Sequence, residues 1–334
     1  MAPRRSEYDV TNRINTTDPQ AVSAEVSRIF MELYPDASGD TLGRAFEDAS
    51  RLYRGEYHGY RPCDTAYHNL QHTLDVTLAM ARLMDGYERS RERAEPIGAR
   101  LFGFALITAL FHDIGYLRHW HDTRHDNGAE YTLRHVSRGG RFLEQYMSEI
   151  GMPDLAILAA RIIHFTGYEM PVEQIQVPNL MFRRLGNMLG TADIMAQMAD
   201  RCYLEKCRDR LYPEFVAGGL AASDTDKHSS PSCFTSPEDL LRKTPNFYRT
   251  AIHRLNESLA SAHRYVETHF GGQNLYLEEV TKNIKHAERL ADSNSNIYRF
   301  LRRTPPPAIA FRAVRRSGRE VAAACLRPRA TVSI

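Results

Sequence analysis

Long apolar runs are absent from this chain: nowhere in its 334 residues does a segment approach the roughly eighteen apolar residues a membrane-spanning helix needs. The first twenty residues, MAPRRSEYDVTNRINTTDPQ, also lack the apolar stretch of an export signal, so a cytoplasmic chain without a membrane partner is expected. Cysteine is sparse. The five residues at 63, 202, 207, 233 and 325 are too scattered for a disulfide framework, and the spacing of Cys202 and Cys207 matches no zinc motif. Charge of one sign is lacking too: a net charge of +2 gives no electrostatic reason to expect nucleic acid or an anionic membrane as partner. Strand-type alternation and repeats of fixed period are missing, which excludes sandwiches, barrels and solenoids.

What remains is helical periodicity. Apolar residues recur at helical spacing from Ala21 to about Tyr53, interrupted by Pro35 to Gly39, so two helices are expected there. A third follows in TAYHNLQHTLDVTLAMARLMDG. Between Ile97 and Phe111 nearly every face is apolar, which marks a central helix, and Gly115 is expected to end it. Asn127 three residues before Glu130 reads as the cap of a helix running to about Ile150. A short helix is expected before Gly167, a longer helical stretch from Leu180 to Tyr212, broken or closely packed at Gly186 and Gly190, and further helices after Ser236-Pro237, from Pro245 to Phe270 and from Tyr276 to Leu290. The reading is one all-α domain over residues 19–300, with a core at about 65–212 and C-terminal helices at 236–300. Residues 1–18 are expected as a disordered arm and 301–334, basic and rich in Pro and Arg, as a disordered tail; SRERAEP and the low-complexity stretch AGGLAASDTDKHSSPSC are expected loops.

Histidine and aspartate recur about once per expected helix, each beside apolar residues. His68 and His72 are four apart and would share one helical face, with Asp75 three further on. His112-Asp113 sits in FHDIGY at the end of the apolar helix. His135, His164 and Asp193 lie in the helices that follow. Imidazole nitrogen and carboxylate oxygen are the donors that borderline and hard divalent metals accept. Asp113 and Asp193 could not be buried as unpaired anions, so a cation is their natural partner.

The order His72, His112-Asp113, Asp193 resembles the HD-domain metal-dependent phosphohydrolases, whose fold is a helical bundle. YHNLQHTLDV is similar, at Tyr67, His68, Asn69, His72, Asp75 and Val76, to the YHNxxHxxDV segment of the 3′,5′-cyclic-nucleotide phosphodiesterases, and TADI at 191–194 is similar to the segment bearing their last metal-binding Asp. The resemblance implies that His72 is a ligand and His68 the proton donor to the leaving oxygen. His135 and His164 match the subset of HD proteins that hold a second metal. Two departures stand out: Tyr116 occupies the place of a further phosphodiesterase His, and the C-terminal helices carry no nucleotide-clamping Gln followed by Phe.

The resemblance therefore implies two divalent ions (Mn, Fe, Zn or Mg) about 3.5–4 Å apart. Asp113 would bridge them, with His72, His112 and Asp193 on one and His135 and His164 on the other. The expected reaction is hydrolysis of a nucleotide phosphodiester, first a 3′,5′-cyclic nucleotide, or of a phosphomonoester, by metal-activated hydroxide with His68 as general acid. Arg118, Arg124 and Asn69 are the expected substrate contacts, and Asp75 the residue orienting the imidazoles. Two other classes use the same residues differently. A di-iron oxygenase of the same fold would consume oxygen; a nucleotide-binding regulator would have no need of the acid His68. The partner expected is a small nucleotide or phosphoester, and the C-terminal helices could wall the pocket or pair with another subunit in a homo-oligomer.

Overall fold

The computed structural model describes residues 4–90, 95–221, 234–292 and 297–308, and the chain is an all-α bundle. Among the described residues there is no strand, only isolated bridges such as Tyr60 to His119. The helices are α1 (Pro19–Leu33), α2 (Asp40–Arg54), α3 (Leu70–Arg89), α4 (Ala99–Leu110), α5 (His135–Glu149), α6 (Ala156–Ile162) and α7 (Leu180–Ala199). They are followed by α8 (Tyr203–Lys206), α9 (Tyr212–Ala217), α10 (Pro237–His253), α11 (Tyr265–His269) and α12 (Leu275–Ala291). No described helix is long and apolar enough to cross a membrane.

Helix starts follow their capping residues. Asp18, Asn69, Asn179 and Ser236 each turn a side-chain oxygen onto a backbone N–H of the first turn of α1, α3, α7 and α10. The centre of the bundle is α3 against α7, with α1, α4 and α11 packed on α3 and α12 on α7. From Leu70 to Glu88, α3 is buried all round except at Asp75. Helix α4 is central as its apolar composition requires, with Phe104 to Leu110 entirely buried.

Several boundaries differ from expectation. Helix α4 stops at Leu110 rather than at Gly115, so His112 and Asp113 lie in a turn that leads into a short 3-10 helix, Ile114–Tyr116. The Asn127/Glu130 capping box is present, but it caps a 3-10 turn, and α5 proper begins only at His135. Helix α10 runs through Pro245 from its Ser236 cap, and the turn of Arg254–Ser258 and the positive φ values of Ala260 and Ser261 break the stretch expected to continue to Phe270.

The arm and the tail are corrected in part. Residues from Arg4 onward fold onto the bundle, because the Asp9 carboxylate collects the Thr11 hydroxyl, the N–H groups of Arg13 and Ile14, and the buried guanidinium of Arg82. Polar, aperiodic sequence excluded a helix there but not an ion pair reaching across the fold. At the other end Leu301 is buried, Arg303 bonds Arg201 and Asn283, and Arg210 donates to the Pro306 carbonyl. Residues 1–3, 91–94 of the expected SRERAEP linker, 222–233 of the low-complexity loop, 293–296 and 309–334 of the tail lie outside the described residues.

Candidate metal centre

The site forms where the start of α3, the turn after α4, the start of α5 and the middle of α7 meet. Asn69 caps α3, accepting from His72 N at 3.2 Å, and its amide donates to Ala66 O at 2.8 Å. Both ends of this side chain are thus committed to the cap, and the substrate role expected for Asn69 is replaced by a structural one. The cap also separates the two histidines: His72 is in the first turn, while His68 precedes the helix. They do not share a helical face as expected; their rings stand at 90° with centroids 5.8 Å apart.

Three donor atoms converge, and a fourth lies beside them. His72 Nε2 lies 3.3 Å from Asp113 Oδ2 and 3.4 Å from Asp193 Oδ1. His112 Nε2 lies 3.4 Å from Asp113 Oδ2 and 4.0 Å from Asp193 Oδ1. Ligand atoms each about 2.1 Å from one metal and set at tetrahedral or octahedral angles sit roughly 3.0–3.4 Å apart, with larger values across the site. The spacings match that range. His112 is also buried, donates through Nδ1 to Ala109 O at 2.7 Å, and leaves Nε2 buried with no hydrogen-bond partner. An orphaned imidazole nitrogen facing two carboxylates, its other nitrogen fixed by a backbone carbonyl, fits a divalent metal. His72, His112 and Asp113 form a group able to hold such an ion, with Asp193 beside them.

The electrostatics agree. Burial works against a charged His72, yet Asp113 and Asp193 outweigh it and push the imidazole up to about 10. His112 is raised in the same way, burial opposing and Asp113 prevailing. Asp113 is held well below the usual carboxylate range: burial opposes this, but His112 and His72 prevail. The carboxylates thus attract positive charge, which a divalent ion supplies by displacing protons.

Asp113 has a second side. His135 Nε2 lies 3.6 Å from its Oδ1, and His135 Nδ1 donates to Thr132 O at 2.6 Å. This approach depends on Gly115: a Cβ there would collide with the His135 carbonyl and lie 2.8 Å from Gly139 N. His164 stays outside the cluster. It sits in the turn Ile163–Phe165 with Nδ1 3.5 Å from Glu169 Oε2, and among the described contacts none joins it to Asp113 or His135.

The remaining expectations also change. Asp75 turns away from the imidazoles toward Thr16 and a small polar cavity shared with Gln71, Asp200 and Tyr276, where burial raises its carboxyl to about 7. Arg118 is tied to Asp64 at 2.7 Å and to His125 O, so it pins the loop instead of waiting for a phosphate. Arg124 is exposed on that loop, and its backbone N–H donates to Asp122.

Sequence reasoning missed Glu214. This buried carboxylate accepts from Tyr67 N at 2.5 Å through Oε1 and from His68 Nδ1 at 2.5 Å through Oε2. It fixes the His68 ring with the Nδ1 proton toward Glu214. An acid just after Pro213 in the first turn of α9 looks like an ordinary helix start, and nothing local distinguishes it.

No protein-family model and no curated protein matches the chain. Among solved structures it is similar to the phosphodiesterase domain of the Salpingoeca rosetta rhodopsin phosphodiesterase, with a TM-score of 0.49 and 16% identity over 89% of this chain and 93% of that one.

Proposed function

We propose that this chain is a metal-dependent phosphohydrolase that cleaves a phosphodiester, with a 3′,5′-cyclic nucleotide as the first substrate to test. The observation that carries the reading is the convergence of His72, His112, Asp113 and Asp193 with a buried, unpartnered His112 Nε2, next to a His68 anchored on Glu214. His72, His112, Asp113 Oδ2 and Asp193 would hold one divalent ion, and His135 with Asp113 Oδ1 would contribute to a second. Bound ions would offset the phosphate charge and acidify a water at neutral pH.

The chain's own residues do the rest. Hydrolysis adds the elements of water: a P–O bond forms to the incoming oxygen, and the P–O bond to the leaving alkoxide breaks. That alkoxide is a strong base and needs a proton as it departs. His68 delivers it from Nε2 while Glu214 holds Nδ1, which keeps the ring in one orientation through the step.

The test is turnover of 3′,5′-cyclic nucleotides with added Mn²⁺. Asp113→Ala is expected to abolish it, and His68→Ala to lower kcat by about 10²–10⁴-fold, the usual contribution of a general acid. His68→Ala within a few-fold of wild type would remove the acid assignment. Oxygen uptake by the iron-loaded protein, without hydrolysis, would replace the reading with an oxygenase.

A further inference from the structure

The ring of Tyr116 stands where two imidazoles with different tasks come together. It stacks on His68 with centroids 4.4 Å apart at 13°, and on His135 with centroids 4.3 Å apart at 19°. Each imidazole is anchored by one nitrogen only: His68 Nδ1 on Glu214 and His135 Nδ1 on Thr132 O. A single hydrogen bond leaves an imidazole free to swing about it, because the outer torsion of histidine is broad. A ring lying flat against it removes that freedom.

Tyr116 itself has little room to move. It is buried, and its N–H donates to Asp113 O at 3.0 Å in the 3-10 turn that follows the metal carboxylate. Its carbonyl packs so closely on Gly128 that a Cβ there would collide with it.

We infer that Tyr116 is a positioning residue whose ring sets the planes of His68 and His135 together, so that the proton donor and the imidazole beside Asp113 Oδ1 keep one common geometry. The inference rests on the phosphohydrolase reading above. It assigns a use to the position where the sequence departs from the phosphodiesterase pattern, and the ring, not the hydroxyl, carries that use.

The experiment compares wild type, Tyr116→Phe and Tyr116→Leu, with Mn²⁺ as the metal and two esters as substrates. A 3′,5′-cyclic nucleotide expels an alkoxide that needs the His68 proton; bis(p-nitrophenyl) phosphate expels a stable phenolate that does not. Tyr116→Phe keeps the stack and is expected within about threefold of wild type on both. Tyr116→Leu is expected to lose about 10- to 100-fold in kcat on the cyclic nucleotide with KM little changed, and about threefold or less on the nitrophenyl ester. Mn²⁺ binding without substrate, read from the EPR signal of the free ion, is expected to weaken about tenfold in Tyr116→Leu only. Equal losses on both esters, or Tyr116→Leu indistinguishable from wild type in turnover and in Mn²⁺ binding, would overturn the inference. If wild type binds Mn²⁺ but hydrolyses neither ester, the phosphohydrolase reading fails on its own. The Mn²⁺ comparison then decides for or against the ring's hold on His135.

Discussion

Replacing Glu214 with Gln tests the link between the fold and the proposed acid with almost no change of shape. The carboxylate offers two acceptor oxygens, and both are used: Oε1 takes the N–H of Tyr67, and Oε2 takes Nδ1 of His68. An amide offers one acceptor and one donor. If its oxygen keeps Tyr67 N, its NH2 faces His68 Nδ1, which must then give up the proton it donates. If the amide is turned over, the NH2 faces the backbone N–H instead. In the second arrangement one donor is left opposite another, and in the first the ring must leave the protonation the carboxylate selects, so either carries a cost of about 1–3 kcal/mol. That energy corresponds to a roughly 5- to 150-fold loss in the population of correctly held His68, since about 1.4 kcal/mol is a factor of ten.

Two assays read this loss separately. Urea denaturation should show the midpoint falling with an unchanged slope, since no surface is added or removed. Cyclic-nucleotide turnover should show kcat falling within the range above while KM stays within about threefold, because the lost interaction serves the proton transfer and not substrate binding. A Glu214→Gln protein matching wild type in both midpoint and kcat would refute the reasoning, for it would mean that neither oxygen is loaded as described. A fall in midpoint alone, with kcat intact, would keep the structural account and remove His68 from the chemistry.

Three further outcomes follow from the same geometry. Gly115→Ala should push α5 back from Asp113 through the blocked His135 carbonyl, costing about 1–3 kcal/mol in urea denaturation and weakening Mn²⁺ binding. His164→Ala should leave Mn²⁺ affinity within about threefold, since His164 faces Glu169, whereas His72→Ala should lose about tenfold or more. Asp75→Asn should stabilise the protein at pH 8 and leave it unchanged near pH 4. The folded carboxyl is raised to about 7 by burial from the ordinary 3.8, so stability falls as pH rises between those values and levels off above. Melting temperatures at the two pH values measure the difference, and equal effects at both would count against burial as the cause.

How far the sequence could be read depended on the range of the interaction. Caps act over three residues, so Ser236 announced its helix correctly, and the apolar run before FHDIGY announced a central helix, whereas the Asn69 and Asn179 caps went unread. Boundaries set by packing were missed. Helix α5 starts at His135 because the Asn127 capping box closes a 3-10 turn first, and no periodicity reveals that. The order of His72, His112, Asp113 and Asp193 was legible because each lies at a helix start, a turn or an apolar helix face, positions the pattern itself marks.

The all-α architecture was legible in the sequence, because helix propensity and capping are properties of short segments, and the order of His72, His112, Asp113 and Asp193 was legible through its resemblance to a known motif. Only the tertiary structure decided which side of each residue faces the centre. It joined His68 to Glu214, 146 residues away, kept His164 beside Glu169, turned Asp75 to a different cavity and committed Arg118 to Asp64. It also laid Tyr116 against His68 and His135. The reason is geometric: a one-residue change in where a helix begins rotates its side chains by about 100°. Contacts between distant segments, not local preference, set that phase.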